Sequence, residues 1–189
     1  MSDDEKLAAV LAAAYQCFTR HGVRRTTMDD IAREAGMSRP GVYHYVRNKE
    51  DAFRRLADRL LTDTLAAARA AAAGPEPLPQ RLAGALGSKL ALVTKVWSDS
   101  PAHAPELLGP DTRLSADLVR DFDARMLDLL AAEIAAEHPD RGAREIAEIL
   151  LALTRGLEAD LSDPPAPVRR LEHAVGLLTA GLAATAAPL

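Results

Sequence analysis

The most informative stretch of the sequence is residues 25–53, which read RTTMDDIAREAGMSRPGVYHYVRNKEDAF. Thr27 precedes Asp30 by three residues, and this spacing is that of a capping box at the start of a helix. Gly36 follows the helical pattern and ends it, because glycine adopts the left-handed backbone conformation at little cost. The first half of the stretch therefore predicts a short helix that starts after Thr27 and stops at a glycine turn.

The second half of the stretch predicts another short helix. Ser38 can cap its N-terminus, and Pro40 suits the first turn, where its missing N–H group costs nothing. Val42 and Val46 lie four residues apart on one face and predict contact with a core. The helix is expected to stop near Arg47. Two short helices joined by a tight turn that contains glycine are typical of a helix-turn-helix.

Apolar spacing predicts helices along the rest of the chain and no strand. A first helix is expected over about Asp4–Arg20, and a fourth helix runs from an Asn48 cap to about Ala73. A proline-rich break at residues 100–111 is expected to hold a single helical turn. The other helices are predicted at about Pro79–Ser98, Thr112–Glu137, Ala143–Leu161 and Val168–Ala186. The predicted fold class is all-α, with about nine helices.

Composition supports a helical globular protein and excludes several classes. Apolar residues make up 48% of the chain and aromatic residues only 4%, so aliphatic side chains must build the core. The single cysteine, Cys17, excludes an intrachain disulfide, and no metal-ligand cluster accompanies it. The acidic start is unlike a signal peptide, and no apolar run reaches the roughly 20 residues of a membrane span. We therefore expect a cytoplasmic protein without membrane contact.

Basic and aromatic residues concentrate in the second short helix and its surroundings. The net charge is −4, but Arg20–Arg59 holds ten basic against six acidic residues. Arg39, Tyr43 and His44 should point away from the two core valines. Arginine binds guanine O6 and N7 in a bidentate manner, and a tyrosine hydroxyl can reach a phosphate. This face predicts binding in a DNA major groove, with a solvated helix face as the alternative.

The stretch resembles the DNA-binding segment of the tetracycline-repressor (TetR) family of transcriptional regulators. It departs from the family pattern at Met37, Val46 and Phe53, where other apolar residues replace the usual valine, phenylalanine and leucine. The resemblance implies a helix-turn-helix domain at residues 1–50 and a helical effector-binding and dimerisation domain at residues 51–189. The matching positions are Thr26, Thr27, Ile31, Ala32, Ala35, Gly36, Ser38, Val42, Tyr43, Tyr45, Lys49 and Glu50.

The resemblance also implies roles for individual residues. Thr27, Tyr43 and Lys49 would hold phosphates. The residues that would lie against bases or the sugar–phosphate backbone are Arg39, Pro40, Gly41, His44 and Tyr45. The implied partner is double-stranded operator DNA. The predicted DNA-binding set is Thr27, Ser38, Arg39, Pro40, Gly41, Tyr43, His44, Tyr45 and Lys49.

The last two long helices are candidates for dimerisation. A helix-turn-helix protein gains affinity by reaching two major grooves one turn apart, so a homodimer is expected. Gly176 and Gly181 in the last helix permit close approach of a second chain. The alternative is that both helices belong to the core of the monomer. The predicted interface residues are Leu153, Leu157, Leu171, Leu178 and Leu182.

The resemblance also implies a small-molecule effector. It implies that the effector binds in a pocket among the fourth to seventh helices. The effector is expected to be apolar or amphipathic, and each lining residue taken singly could instead belong to the core or the surface. The predicted pocket residues are Leu60, Thr64, Leu90, Trp97, His103, Phe122 and Met126.

Enzymatic function is not expected, because the chain lacks the nucleophile elbow, the zinc-protease helix and the phosphate-binding loop. No cofactor or metal is predicted, and His44 has no acidic or thiol ligand nearby, which favours DNA contact over metal binding. The predicted function is a TetR-like regulator, a repressor released from a palindromic operator by its effector. The alternative is a helical interaction or ligand-binding module without DNA binding.

Overall fold

The structure, a computed structural model, describes residues 2–108, 115–161, 163 and 165–184 of the chain. These residues form nine helices and no strand, which confirms the predicted all-α fold class. No helix in the described part of the chain is long and apolar enough to cross a membrane. The helices are α1 (Asp3–His21), α2 (Met28–Glu34), α3 (Arg39–Tyr43), α4 (Lys49–Ala72), α5 (Leu78–Asp99), α6 (Ala104–Leu108), α7 (Ala116–Glu137), α8 (Ala143–Leu157) and α9 (Pro165–Ala184).

The predicted end of α3 is wrong, because the helix stops at Tyr43 rather than near Arg47. The N–H groups of His44 and Tyr45 bond to carbonyls three residues back, at 3.3 and 2.9 Å. This tighter bonding ends the α-helical pattern. Asn48 then caps α4 as predicted, since its Oδ1 accepts a hydrogen bond from the N–H group of Asp51 at 2.7 Å.

The C-terminal helices also differ from their predicted bounds. α8 ends at Leu157 instead of Leu161, and the N–H group of Ala159 bonds three residues back at 3.3 Å. α9 begins at Pro165 instead of Val168, because proline is well suited to a first helical turn. Two predicted helix ends, Thr112 and Ala186, lie outside the described residues.

Contacts within the chain group its residues into two compact units. Unit 1 consists of Met1–Leu61 and Lys95–Val119. At its centre, the ring of Phe18 meets that of Phe53 edge-on, with centroids 5.8 Å apart and planes at 67°. Cys17 is buried in the same core, and burial raises the pKa of its thiol. The fully buried side chains of this core include Val10, Ala14, Phe18, Ile31 and Val42.

Unit 2 consists of Thr62–Thr94 and Arg120–Leu189. Lys89 of α5 is buried, and its ammonium group pairs with the carboxylate of Glu158, just after α8. This largely buried ion pair links α5 to the residue that follows α8 but adds little net stability. The fully buried core side chains include Leu82, Leu86, Leu90, Met126, Leu130, Ile134, Leu150 and Leu171. The division into domains at residues 1–50 and 51–189 stays a prediction.

Candidate nucleic-acid interface

The start of α2 has the predicted capping box. The hydroxyl of Thr27 accepts a hydrogen bond from the N–H group of Asp30 at 3.2 Å. The carboxylate of Asp30 accepts in return from the Thr27 N–H group at 3.0 Å and from its hydroxyl at 2.6 Å. These hydrogen bonds from Thr27 lower the pKa of Asp30. The turn after α2 passes through Gly36, whose φ of 64° lies in the left-handed region.

The start of α3 is capped by Ser38, whose hydroxyl accepts from the N–H group of Gly41 at 3.2 Å. A Cβ atom on Gly41 would lie only 3.1 Å from that hydroxyl, so a side chain there would crowd the cap. Pro40 occupies the first turn, as predicted. The sequence signals for both short helices therefore act locally, within three residues of each helix start.

The two faces of α3 differ as the sequence indicated. Val42 is fully buried, and Val46 beyond the helix is 1% exposed. Arg39, Tyr43 and His44 are exposed, and Tyr43 keeps 42% of its surface accessible. α3 and the residue that follows it thus present a guanidinium, a phenol and an imidazole to the surroundings. Among the other residues of the predicted set, Thr27, Ser38 and Pro40 are exposed, whereas Gly41, Tyr45 and Lys49 are half-buried.

Arg39 is held by two neighbours on this face. Its Nη1 donates to Oδ2 of Asp29 at 3.1 Å, and its Nη2 donates to the hydroxyl of Tyr43 at 3.4 Å. The guanidinium carbon also lies 5.8 Å from the centroid of the Tyr43 ring. The hydrogen bond with Tyr43 and the charge of Asp29 raise the pKa of Arg39. Sequence reasoning missed Asp29, because a contact across ten residues has no signature in helical spacing.

Lys49 and Tyr45 reach back to the segment before α2 and to the start of α1. The ammonium group of Lys49 donates to the carbonyl of Arg24 at 2.8 Å, and the hydroxyl of Tyr45 donates to Asp3 at 3.4 Å. The N–H group of Arg24 in turn donates to Oε1 of Glu106 at 2.8 Å. The peptide groups of Arg24 therefore connect Lys49 to α6, which the sequence did not indicate.

Residues 99–106 hold the end of α1 within unit 1. Asp99 accepts a hydrogen bond from the hydroxyl of Tyr15, and the hydroxyl of Ser100 donates to a carbonyl of α1. Burial and the hydrogen bond to Asp99 both raise the pKa of Tyr15. Gly22 has a φ of 77°, and a Cβ atom there would lie 2.6 Å from Glu106 and 3.1 Å from His103. This close approach requires glycine, and it places His103 beside the end of α1.

The predicted effector residues are divided between the two units. In unit 2, Leu90 and Met126 are fully buried, while Phe122 and Thr64 are 4% and 8% exposed. In unit 1, Leu60, Trp97 and His103 are half-buried. A groove of about 480 Å³ lies within unit 2 between α5 and α9. None of the predicted effector-pocket residues lines this groove. Its lining residues are Pro79, Gln80, Ala83, Gly84, Gly87, Val168, Leu171, Glu172 and Gly176.

α8 and α9 carry apolar side chains on their exposed faces. Ile149 of α8 is 47% exposed and Leu177 of α9 is 64% exposed, yet neither belongs to the predicted interface set. Helical spacing fixes a stripe only to within one residue, and it favoured Leu178 over Leu177. Leu171 of the predicted interface lies fully buried in the core of unit 2. The remaining predicted interface residues, Leu153, Leu157, Leu178 and Leu182, are half-buried.

Comparisons with known proteins agree with this architecture. The family model of the tetR family of bacterial regulatory proteins matches residues 10–56. The chain is 42% identical over 62 residues to the HTH-type transcriptional regulator YfiR of Bacillus subtilis. The matching segment covers 33% of this chain and 30% of that protein. The chain is also 30% identical over 162 residues to the HTH-type transcriptional regulator BetI of Agrobacterium fabrum. This match covers 79% of this chain and 73% of that protein.

A solved structure extends the likeness over nearly the whole chain. The SmeT–triclosan complex superposes with a TM-score of 0.69 at 20% sequence identity, over 95% of this chain and 91% of that one. At this identity the superposition shows the fold alone. The similarity to BetI, in contrast, combines 30% identity with coverage of most of that regulator. The capped helix-turn-helix, the family match to residues 10–56 and the relation to BetI show that the chain belongs to the tetR family of bacterial regulatory proteins.

Proposed function

We propose that the protein is a repressor that binds a palindromic operator as a homodimer and is released by a small-molecule effector. The observation that carries the proposal is the exposed guanidinium of Arg39 on a capped helix-turn-helix, beside the exposed ring of Tyr43. The predicted DNA-binding set of nine residues, from Thr27 to Lys49, remains part of the proposal. Because its proposed partner is DNA, we propose that the protein acts in the cytoplasm. The proposal includes no catalytic reaction.

The roles of Arg39 and Lys49 are separated by a salt titration. Arg39→Ala should weaken operator binding by about 1–3 kcal/mol and relax the preference at one base pair of each half-site, because a bidentate contact to guanine is lost. Lys49→Ala should weaken binding to all sequences alike and reduce the salt slope by about one unit per half-site. The measurement is fluorescence anisotropy on a duplex selected from a random library and on an unrelated duplex of equal length.

The matched control for both variants is Arg55→Ala, which removes one positive charge from α4. The guanidinium of Arg55 lies 3.2 Å from Asp51, a carboxylate that it shares with Arg47, and Arg55 stands outside the predicted DNA-binding set. Its salt slope should stay close to that of the wild type. Wild-type binding by the Arg39 and Lys49 variants at every salt concentration would show that this face does not bind DNA.

The proposed homodimer forms through α8 and α9, which pack against each other within the chain. Each helix has an apolar face that recurs at three- and four-residue spacing and remains partly exposed. Two such helices from each protomer would form a four-helix interface. The faces comprise Ile146, Ile149, Leu153, Gly156 and Leu157 on α8, and Ala174, Leu177, Leu178, Gly181 and Leu182 on α9.

The proposed effector is a small apolar or amphipathic molecule, and the SmeT structure, which has the same fold, contains triclosan. An effector that releases DNA must bind the DNA-free form more tightly, and the reciprocal effect must be of equal size. We therefore expect a ligand found by quenching of Trp97 fluorescence to bind about 5- to 150-fold more weakly when operator is present. The measurement is calorimetric titration with and without operator; triclosan belongs in the first ligand panel. Equal affinity in both titrations would contradict the switch.

The α5–α9 groove is an alternative position for the same ligand. Gly87 lines it, and no atom lies within 4 Å of a Cβ atom added at that position. Gly87→Leu should therefore place a side chain in the groove whose Cβ atom meets no neighbouring atom. If the effector binds at the predicted pocket residues, its affinity for this variant stays that of the wild type. Loss of binding would instead move the effector site to the groove.

A further inference from the structure

Asp29 is a carboxylate on the surface that the proposed function directs at DNA, although phosphates repel negative charge. It lies in the first turn of α2, and more than half of its side chain is exposed. Negative charge stabilises a helix N-terminus, but the capping box of Thr27 and Asp30 already supplies a carboxylate there. The start of α2 therefore does not by itself explain Asp29.

The contact that distinguishes Asp29 is its ion pair with Arg39, which joins α2 to α3 at 3.1 Å. Arginine has five N–H donors. The bonds to Asp29 and Tyr43 use one donor on each terminal nitrogen, so three donors stay available. The guanidinium can thus still bind a guanine edge with two N–H groups while its positive charge is compensated by a neighbour.

Resting on the proposed DNA-binding function, we infer that Asp29 is a specificity-determining residue that shields Arg39 from DNA phosphates. Binding to unrelated DNA comes from basic groups that neutralise phosphates and release counterions. A compensated Arg39 releases no counterion. Guanine O6 and N7 are neutral acceptors, and binding them depends chiefly on a fixed guanidinium orientation, which Asp29 and Tyr43 provide. Asp29 therefore weakens binding to unrelated DNA more than binding to the operator.

The test compares Asp29→Asn with the wild type on a library-selected operator duplex and on an unrelated duplex of equal length. At roughly 0.1 M salt, the variant should bind the unrelated duplex about five- to tenfold more tightly, with a salt slope steeper by about 0.9 per half-site. Operator affinity should rise less, so the ratio of the two affinities should fall. Thermal unfolding establishes that the variant is folded under the assay conditions.

Two further variants separate shielding from a general change in charge. Glu34→Gln removes one carboxylate from the same helix, and Glu34 also pairs with an arginine, Arg20, at 3.1 Å. Its effect on unrelated DNA should be clearly smaller than that of Asp29→Asn. In an Arg39→Gln background, Asp29→Asn should tighten binding no more than Glu34→Gln does in the wild type.

Each contrary result has a distinct meaning. Equal effects of Asp29→Asn and Glu34→Gln would overturn the inference, since only total charge would then matter. A persistent effect in the Arg39→Gln background would overturn it as well. A changed base preference in a new selection with Asp29→Asn would show that Asp29 reads a base itself, which also contradicts shielding. If the wild type binds no duplex in a salt-dependent manner, the proposed DNA-binding function itself is rejected, rather than the role of Asp29 alone.

Discussion

Ile149→Arg is expected to convert the proposed dimer into monomers and to abolish the tight operator binding proposed for it. The side chain is 47% exposed in the single chain and belongs to the apolar face of α8. In a symmetric dimer the substitution places two unpaired guanidinium groups in the interface, and each buried unpaired charge costs about 3–5 kcal/mol. One such charge raises the dimer dissociation constant by roughly two to three and a half powers of ten. Sedimentation at micromolar concentration and operator binding measure the two effects.

The matched control is Val119→Arg, because Val119 is exposed to a similar extent, at 41%, but lies on α7 in unit 1. This variant should remain dimeric and keep its operator affinity to within a small factor. Leu177→Arg on α9 should behave like Ile149→Arg. A wild-type chain that sediments as a monomer, or an Ile149→Arg variant that stays dimeric, would contradict the proposed interface.

Phe18→Ala is expected to cause the largest loss of stability in the helix-turn-helix region. The ring is fully buried and meets the Phe53 ring edge-on at 5.8 Å. Removing a buried phenylalanine costs about 3–5 kcal/mol, through lost burial and the cavity left behind. This is a large part of the roughly 5–15 kcal/mol that stabilises a typical domain. Urea unfolding followed by circular dichroism measures the loss, and hydrogen exchange should locate it in α1–α3.

Phe53→Leu is the comparison for this prediction, since leucine is the residue that the family pattern usually has at that position. It removes the edge-on ring contact but retains much of the apolar volume. The expected loss is about 1–1.5 kcal/mol. If Phe18→Ala and Phe53→Leu destabilise the protein equally, the ring of Phe18 does not fill the centre of this core as the structure indicates.

The parts of the fold that the sequence predicts well depend on interactions between near neighbours. Thr27 bonds to Asp30, Ser38 bonds to Gly41, and Asn48 bonds to Asp51, each over three residues. Capping residues identify such bonds directly, so the starts of α2, α3 and α4 could be located before the structure was known. The four-residue spacing of Val42 and Val46 likewise predicted which face of α3 is exposed.

The features that the sequence did not predict depend on distant residues or on helix phase. Asp29 meets Arg39 ten residues away, and Arg24 meets Glu106 across 82 residues. Such pairs form only when segments that are distant in the sequence pack together, and no local pattern specifies that packing. The choice between Leu177 and Leu178 depends on the rotation of α9 about its axis, and one residue changes that rotation by about 100°.

The interleaving of the two units has a consequence for anyone who wishes to build chimeric regulators from this scaffold. The chain passes between the units at residues 61–62, 94–95 and 119–120, and each passage lies inside a helix, namely α4, α5 or α7. A fragment that ends at residue 61 would lack Glu106 and the other groups that hold the end of α1. We therefore expect a single splice point to leave the end of α1 unsupported, and a graft that also carries residues 95–119 to keep unit 1 intact. Exchange of exposed side chains on α2 and α3 is the simpler way to reprogramme the protein for a new promoter.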